Sequence, residues 1–176
     1  ETQSFLRTVL SIGKPENILE VGTAIGFSAL LMCAYGPRGC RVTTIEDHAP
    51  RVNAARENFR RCGREGQILL LEGDAGEILP GLADTYDLIF MDAAKGQYIH
   101  WLADVARLLA PGGILLSDNV LQDGDIIESR FLVRRRDRTI HKRMRDYLYE
   151  LTHCQELYTS ILPLGDGLAF IVKKHG

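Results

Sequence analysis

The chain has 176 residues, a formal net charge of −2, 45% hydrophobic and 25% charged residues, which fits one globular domain with a sizeable core and excludes a wholesale polycationic coat for nucleic acid. No apolar run approaches the roughly 20 residues of a membrane span, and no signal peptide is visible. Cys33, Cys40, Cys62 and Cys154 are scattered without a Cys-x-x-Cys pair, so buried or half-buried thiols in a cytoplasmic protein are expected in place of zinc or redox chemistry.

The chain opens on Glu1 without a methionine, and residues upstream are therefore expected. Phe5, Leu6, Val9 and Leu10 recur at helical spacing up to Gly13. After the breaker Lys14-Pro15-Glu16, Ile18 to Val21 reads as a first strand, and Gly22-Thr23-Ala24-Ile25-Gly26 turns into a helix from Phe27 to about Tyr35. Val42 to Ile45 is a β-branched second strand ending at Glu46, and Ala49 to Arg61 an amphipathic helix. Ile68 to Leu71 is a third strand ending at Gly73-Asp74, with a short helix and turn from Gly76 to Leu82. Tyr86 to Met91 is a fourth strand ending at Asp92, followed by a helix from Tyr98 to Leu109. Pro111-Gly112-Gly113 is a sharp turn into a fifth strand, Ile114 to Leu116, which stops at Ser117-Asp118-Asn119. A polar loop, a basic helix from about Asp137 to Leu151 and strands around Ile161 and Phe170 complete the chain. This alternation predicts an α/β fold, a parallel sheet with helices on both faces, and a single domain over residues 1–176.

In such a sheet, ligands sit beyond the carboxyl ends of the strands. The first strand ends in glycines, which let a ligand approach the backbone where a helix offers free N–H groups. Gly22 and Gly26 are present, but Ala24 stands where the dinucleotide fingerprint needs its middle glycine. That substitution disfavours a pyrophosphate-bearing nicotinamide cofactor. Glu46, about 20 residues past the glycine turn, suits two ribose hydroxyls. Glu46 and Asp74 also fit as ordinary caps, one at a time; their ordered recurrence favours a nucleoside site. Glu20 to Gly26 resembles the first motif of class I methyltransferases, and Asp74-Ala75 the step that flanks the adenine there. The cofactor implied is S-adenosylmethionine, with Glu20, Gly22, Thr23, Gly26, Ser28, Glu46, Asp74, Ala75 and Asp92 around it.

Asp92 ends the fourth strand, and Asp118 and Asn119 the fifth. Adjacent strands lie about 4.8 Å apart, so these oxygens converge if the two strands are neighbours. Two carboxylates and an amide are hard ligands that suit magnesium or another divalent ion. The alternatives are a helix cap at Asp92 and a turn pair at Asp118-Asn119.

This set resembles the metal-dependent O-methyltransferases, the catechol and caffeoyl-coenzyme A family, from about Leu6 to Lys174. The resemblance implies Asp92, Asp118 and Asn119 as metal ligands and Lys95 as the catalytic lysine. It also implies a Rossmann-like, seven-stranded, mainly parallel sheet with an antiparallel strand near one edge, and a homodimer.

The acceptor is the least legible feature. The animal catechol enzyme grips the second hydroxyl with a glutamate near the last strands, where this chain has Tyr158-Thr159-Ser160. Asp92 to Tyr98, Ser117 to Leu121 and Leu162 to Leu168 resemble instead the bacterial tRNA 5-hydroxyuridine methyltransferases, which imply wobble-position tRNA as partner. Arg134, Arg135, Arg136, Arg138, Arg143 and Arg145 would then meet RNA phosphates. A solvated helix face is the plainer reading of that run. A small catechol-like or phenolic acceptor, or a binding protein that has lost catalysis, are the competing functions.

Overall fold

In the computed structural model, which describes residues 1–121 and 138–176, strand and helix alternate as the sequence predicts. The elements are α1 (Thr2–Gly13), β1 (Asn17–Val21), α2 (Phe27–Tyr35), β2 (Arg41–Glu46), α3 (Ala49–Arg61), β3 (Ile68–Glu72) and α4 (Ala75–Ile78). They continue with β4 (Tyr86–Met91), α5 (Tyr98–Leu108), β5 (Leu109–Asp118), α6 (Arg138–His153), β6 (Leu157–Leu162) and β7 (Leu168–Lys173). The expected helix start at Asp137 and the arginines Arg134, Arg135 and Arg136 lie outside the described residues.

The strands form one seven-stranded sheet in the order β3-β2-β1-β4-β5-β7-β6. β3 through β5 are parallel, and β7 runs antiparallel to both β5 and β6. This is the Rossmann-like architecture expected. The central strands are near-continuous apolar runs because helices cover both of their faces. On one face Leu10, Met32 and Phe59 pack over Ile18, Leu88 and Phe90. On the other, Trp101, Val105, Met144 and Tyr147 pack over Leu19, Ile89 and Met91. Alternate residues of one strand thus serve two separate cores.

Order reverses between β1 and β4, which makes that junction the topological switch point. The registers pair Val21 with Ile45 and Met91, and Met91 with Ser117. Gly22, Asp92 and Asp118 therefore leave the sheet at one edge, side by side.

Pro111-Gly112-Gly113 departs from expectation. It lies inside β5, where the pairing with β4 jumps from Tyr86↔Leu109 to Leu88↔Ile114. Gly112 takes φ 76° there, so the chain swells outward and rejoins the ladder instead of closing a turn between elements. The cysteines divide as well: Cys33 and Cys40 are buried, but Cys62 and Cys154 are exposed. Burial pushes the Cys33 thiol up to about 12, far from the thiolate that metal or redox chemistry uses. Among the described residues no helix is long and apolar enough to cross a membrane.

Candidate active site

A cavity of about 480 Å³ opens where β1, β2, β3 and β4 end, lined among others by Gly22, Ala24, Glu46, Asp74, Ala75, Asp92, Gln97 and Trp101. That volume is within the range of small-molecule sites. Gly22 has φ 105°, and a Cβ there would collide with the Asp92 carbonyl oxygen, so the β1 turn and the end of β4 touch only because the side chain is missing. Ala24 takes the left-handed region as well, at φ 47°. Its amide donates to Glu46 Oε2 (2.8 Å), and the His48 amide donates to Glu46 Oε1 (3.1 Å). Glu46 is thereby locked with its carboxylate at the cavity wall. Asp74 caps α4 by accepting from the Gly76 amide at 2.7 Å, so at this position cap and cavity-lining residue are one.

The remaining residues of the glycine turn lie elsewhere. Gly26 takes φ 87°, and a Cβ there would run into the Phe59 ring; its role is close packing of the turn on α3. Thr23 and Ser28 line a second cleft of about 470 Å³ together with Thr2, Phe27, Phe90, Asp92 and Asp118. Glu20 lines neither cavity. It is fully buried under the turn, where Thr44 Oγ1 donates to its Oε2 at 2.5 Å and the Thr44 and Thr23 hydroxyls lie 2.6 Å apart. Burial raises the Glu20 pKa to about 7, against hydrogen bonds to Ser28 and Thr44 that lower it.

At the chemical end the two strand termini meet. Asn119 Nδ2 donates to Asp92 Oδ1 at 3.0 Å. The Asn119 amide donates to Asp118 Oδ1 at 2.9 Å, and Thr2 Oγ1 approaches the same oxygen at 3.5 Å. Burial raises the pKa of both aspartates; Asn119 and the charge of Lys95 oppose this at Asp92. Two half-desolvated carboxylates beside an amide form a donor set that fits a divalent cation. No cluster of three His, Cys, Asp or Glu occurs among the described residues; here the third donor is an amide.

Lys95 opens a 3₁₀ turn, Lys95–Gln97, shortly after Asp92. Arg143 of α6 braces that turn, its Nη1 donating to the Gly96 carbonyl at 3.2 Å. Arg138 and Arg143 are half-buried and Arg145 is exposed; of the three, Arg143 has the contact to the turn that carries Lys95. Tyr158-Thr159-Ser160 lies within β6, the outermost strand.

Sequence reading missed Trp101, Gln97, Tyr98 and Thr2. Trp101 and Gln97 line the first cavity, and Gly76 lies against the Trp101 indole nitrogen. Helical periodicity assigns Trp101 to the core, which it also joins; only the tertiary placement of α5 aims one ring edge at the cavity.

A sequence model of the family described as O-methyltransferase matches residues 1–174. A catechol O-methyltransferase from Niastella koreensis is 34% identical over 128 residues, 70% of this chain and 58% of that protein, so the match spans less than two thirds of the relative. A solved chain from Staphylococcus aureus has a TM-score of 0.90 at 31% identity, covering 98% of this chain and 82% of that one. The SAH-bound methyltransferase PaMTH1 of Podospora anserina has a TM-score of 0.88 at 27% identity, covering 99% and 78%.

Proposed function

This chain belongs to the O-methyltransferase family, and from that premise we propose that it is an S-adenosylmethionine- and divalent-metal-dependent O-methyltransferase acting on 5-hydroxyuridine at the wobble position of tRNA. The observation that carries the reading is the convergence of Asp92, Asp118 and Asn119 beside Lys95, at the mouth of a nucleoside-sized cavity. Gly22, Glu46, Asp74 and Ala75 would hold the nucleoside, with Trp101 against it. Thr23 and Ser28 would face the amino-acid end. Asp92, Asp118 and Asn119 would hold the ion. When bound, the cofactor supplies an electrophilic methyl group and the ion the positive charge that acidifies an acceptor hydroxyl.

Residues of the chain do the rest. Lys95 Nζ would take the acceptor proton. The glycine turn and the β4 and β5 ends fix the two reactants in line, and alignment accounts for much of the rate gain.

A 5-hydroxyl beside a 4-oxo group chelates as a catechol does, so the same donor set serves either acceptor. The basic α6 supports the RNA reading, because Arg143 bonds directly to the loop that carries Lys95. The catechol enzyme of N. koreensis, at 34% identity, favours the second reading, a small catechol-like acceptor. A cytoplasmic homodimer is part of the proposal. Labelled cofactor incubated with bulk tRNA lacking the modification, beside a catechol panel, tests it: label in tRNA supports the first reading, label only in catechols the second, and label in neither overturns both.

A further inference from the structure

Tyr98 is completely buried at the first residue of α5, and its hydroxyl lies under the two strand ends that bear the carboxylates. It accepts from the Ala93 amide at 3.2 Å. Its one proton is shared between the Met91 carbonyl at 3.1 Å and the Asp118 carbonyl at 3.3 Å. The last register pair between β4 and β5 is Met91↔Ser117, so Asp92 and Asp118 each stand one residue past it. The Tyr98 hydroxyl bridges the two strand ends at that point, because it touches both peptide neighbours of Asp92 and the backbone of Asp118 itself. A second tyrosine supports it. Tyr147 of α6 meets the Tyr98 ring edge-on at 5.5 Å and places its own hydroxyl 2.6 Å from Ser117 Oγ.

We propose that Tyr98 is a positioning residue for divalent-metal binding, its hydroxyl setting the separation of the Asp92 and Asp118 carboxylates from beneath. The inference rests on the metal reading above. Outer groups that orient metal ligands are commonly worth about 10–100-fold in metal affinity, and Tyr98 acts on both carboxylates at once. A tyrosine that merely filled the core would affect stability alone.

The test is Mn²⁺ titration by calorimetry of the parent and of Tyr98→Phe, with thermal melts without metal alongside. Tyr98→Phe keeps the ring and removes the oxygen. The expected result is a rise of about tenfold or more in the Mn²⁺ dissociation constant. Tyr147→Phe, which reaches only Ser117 Oγ and the Met91 sulfur, should shift the constant by less than about threefold. Unchanged Mn²⁺ affinity in Tyr98→Phe, even with a lowered melting temperature, overturns the proposal. If the parent itself binds no divalent ion, the metal reading fails and takes this inference with it. Should Tyr98→Phe not fold, hydrogen exchange of the Ala93 amide in the parent decides: it must slow when Mg²⁺ is added, and an unchanged rate overturns the proposal.

Discussion

Asn119 reaches across from the end of β5 to Asp92 at the end of β4, Nδ2 to Oδ1 at 3.0 Å, although the two are 27 residues apart in the chain. The bond ties two strand ends that the ladder itself has already released. It also brings the amide and both carboxylates within reach of one ion. The proposed metal dependence rests on that convergence. Asp92→Ala and Asp118→Ala should each abolish methyl transfer while the circular dichroism spectrum and thermal melt stay close to the parent, because Asp92 is exposed past β4 and Asp118 is the half-buried last residue of β5. EDTA should silence the parent, and Mg²⁺ should restore it. Full turnover in EDTA would sink the metal assignment.

In the proposed site, Glu46 is the carboxylate that would meet the cofactor ribose. Glu46→Ala removes a carboxylate from the cavity wall and releases the Ala24 and His48 amides. A charged hydrogen bond is worth about 1.5–3 kcal/mol, so calorimetry should show cofactor affinity weakened by roughly tenfold or more, with Mn²⁺ affinity nearly unchanged. Equal cofactor affinity in the variant, or tight NADH binding by the parent, would contradict the site.

The pH dependence of stability has a defined sign. Burial lifts the folded Glu20 carboxyl to about 7 from its ordinary value of 4.5, so between those values the native state binds more protons than the unfolded state. Stability must therefore fall as pH rises from about 4.5 to about 7, by at most about 3 kcal/mol at 1.36 kcal/mol per pH unit. Glu20→Gln cannot ionise, and the carboxamide oxygen still accepts from Thr44. Urea midpoints of parent and variant should converge near pH 4.5, with the variant the more stable at pH 8. Parallel curves across that range would show that Glu20 does not titrate there.

The acceptor question can be read in salt. If tRNA is the substrate, each phosphate contact contributes about 0.7–0.9 to the log–log slope of affinity against salt. Arg145→Ala and the pair Arg135→Ala/Arg136→Ala should lower that slope and raise KM for tRNA, leaving a free chelating nucleoside or catechol unaffected. Arg143→Ala should impair both substrates, because its guanidinium also braces Gly96 beside Lys95. If every arginine variant methylates tRNA as the parent does at physiological salt, the basic run is a solvated face.

How much of this was legible beforehand depended on whether the signal was local. Glu46, Asp74, Asp92 and Asp118 were legible because short β-branched or apolar runs stop at or just before a charge, and the strand-end rule turns each stop into a place at one edge. Pro111-Gly112-Gly113 misled for the same local reason: its turn chemistry is real, but β4 resumes pairing beyond it. Gly26 carries the signature of ligand approach yet serves the Phe59 ring. Tyr98 and Trp101 could not be singled out, since heptad-like spacing shows only that a residue faces inward. What lies on the inner side, core or cavity, is decided by how far the helix slides along the sheet. Thr2, which meets Asp118 from 116 residues away, has no sequence signal at all.

The strand order places β2 and β3 on one wing of the sheet and β5, β7 and β6 on the other, with α6 packed on the second wing. Glu46 and Asp74, the residues assigned to the nucleoside, belong to the first wing. α6 and the β6–β7 hairpin belong to the second. Substitutions in that second group leave Glu46 and Asp74, and with them the proposed nucleoside end, in place. A lineage built on this sheet can therefore diversify its acceptors by duplication and loop change, without inventing a new way to hold its methyl donor.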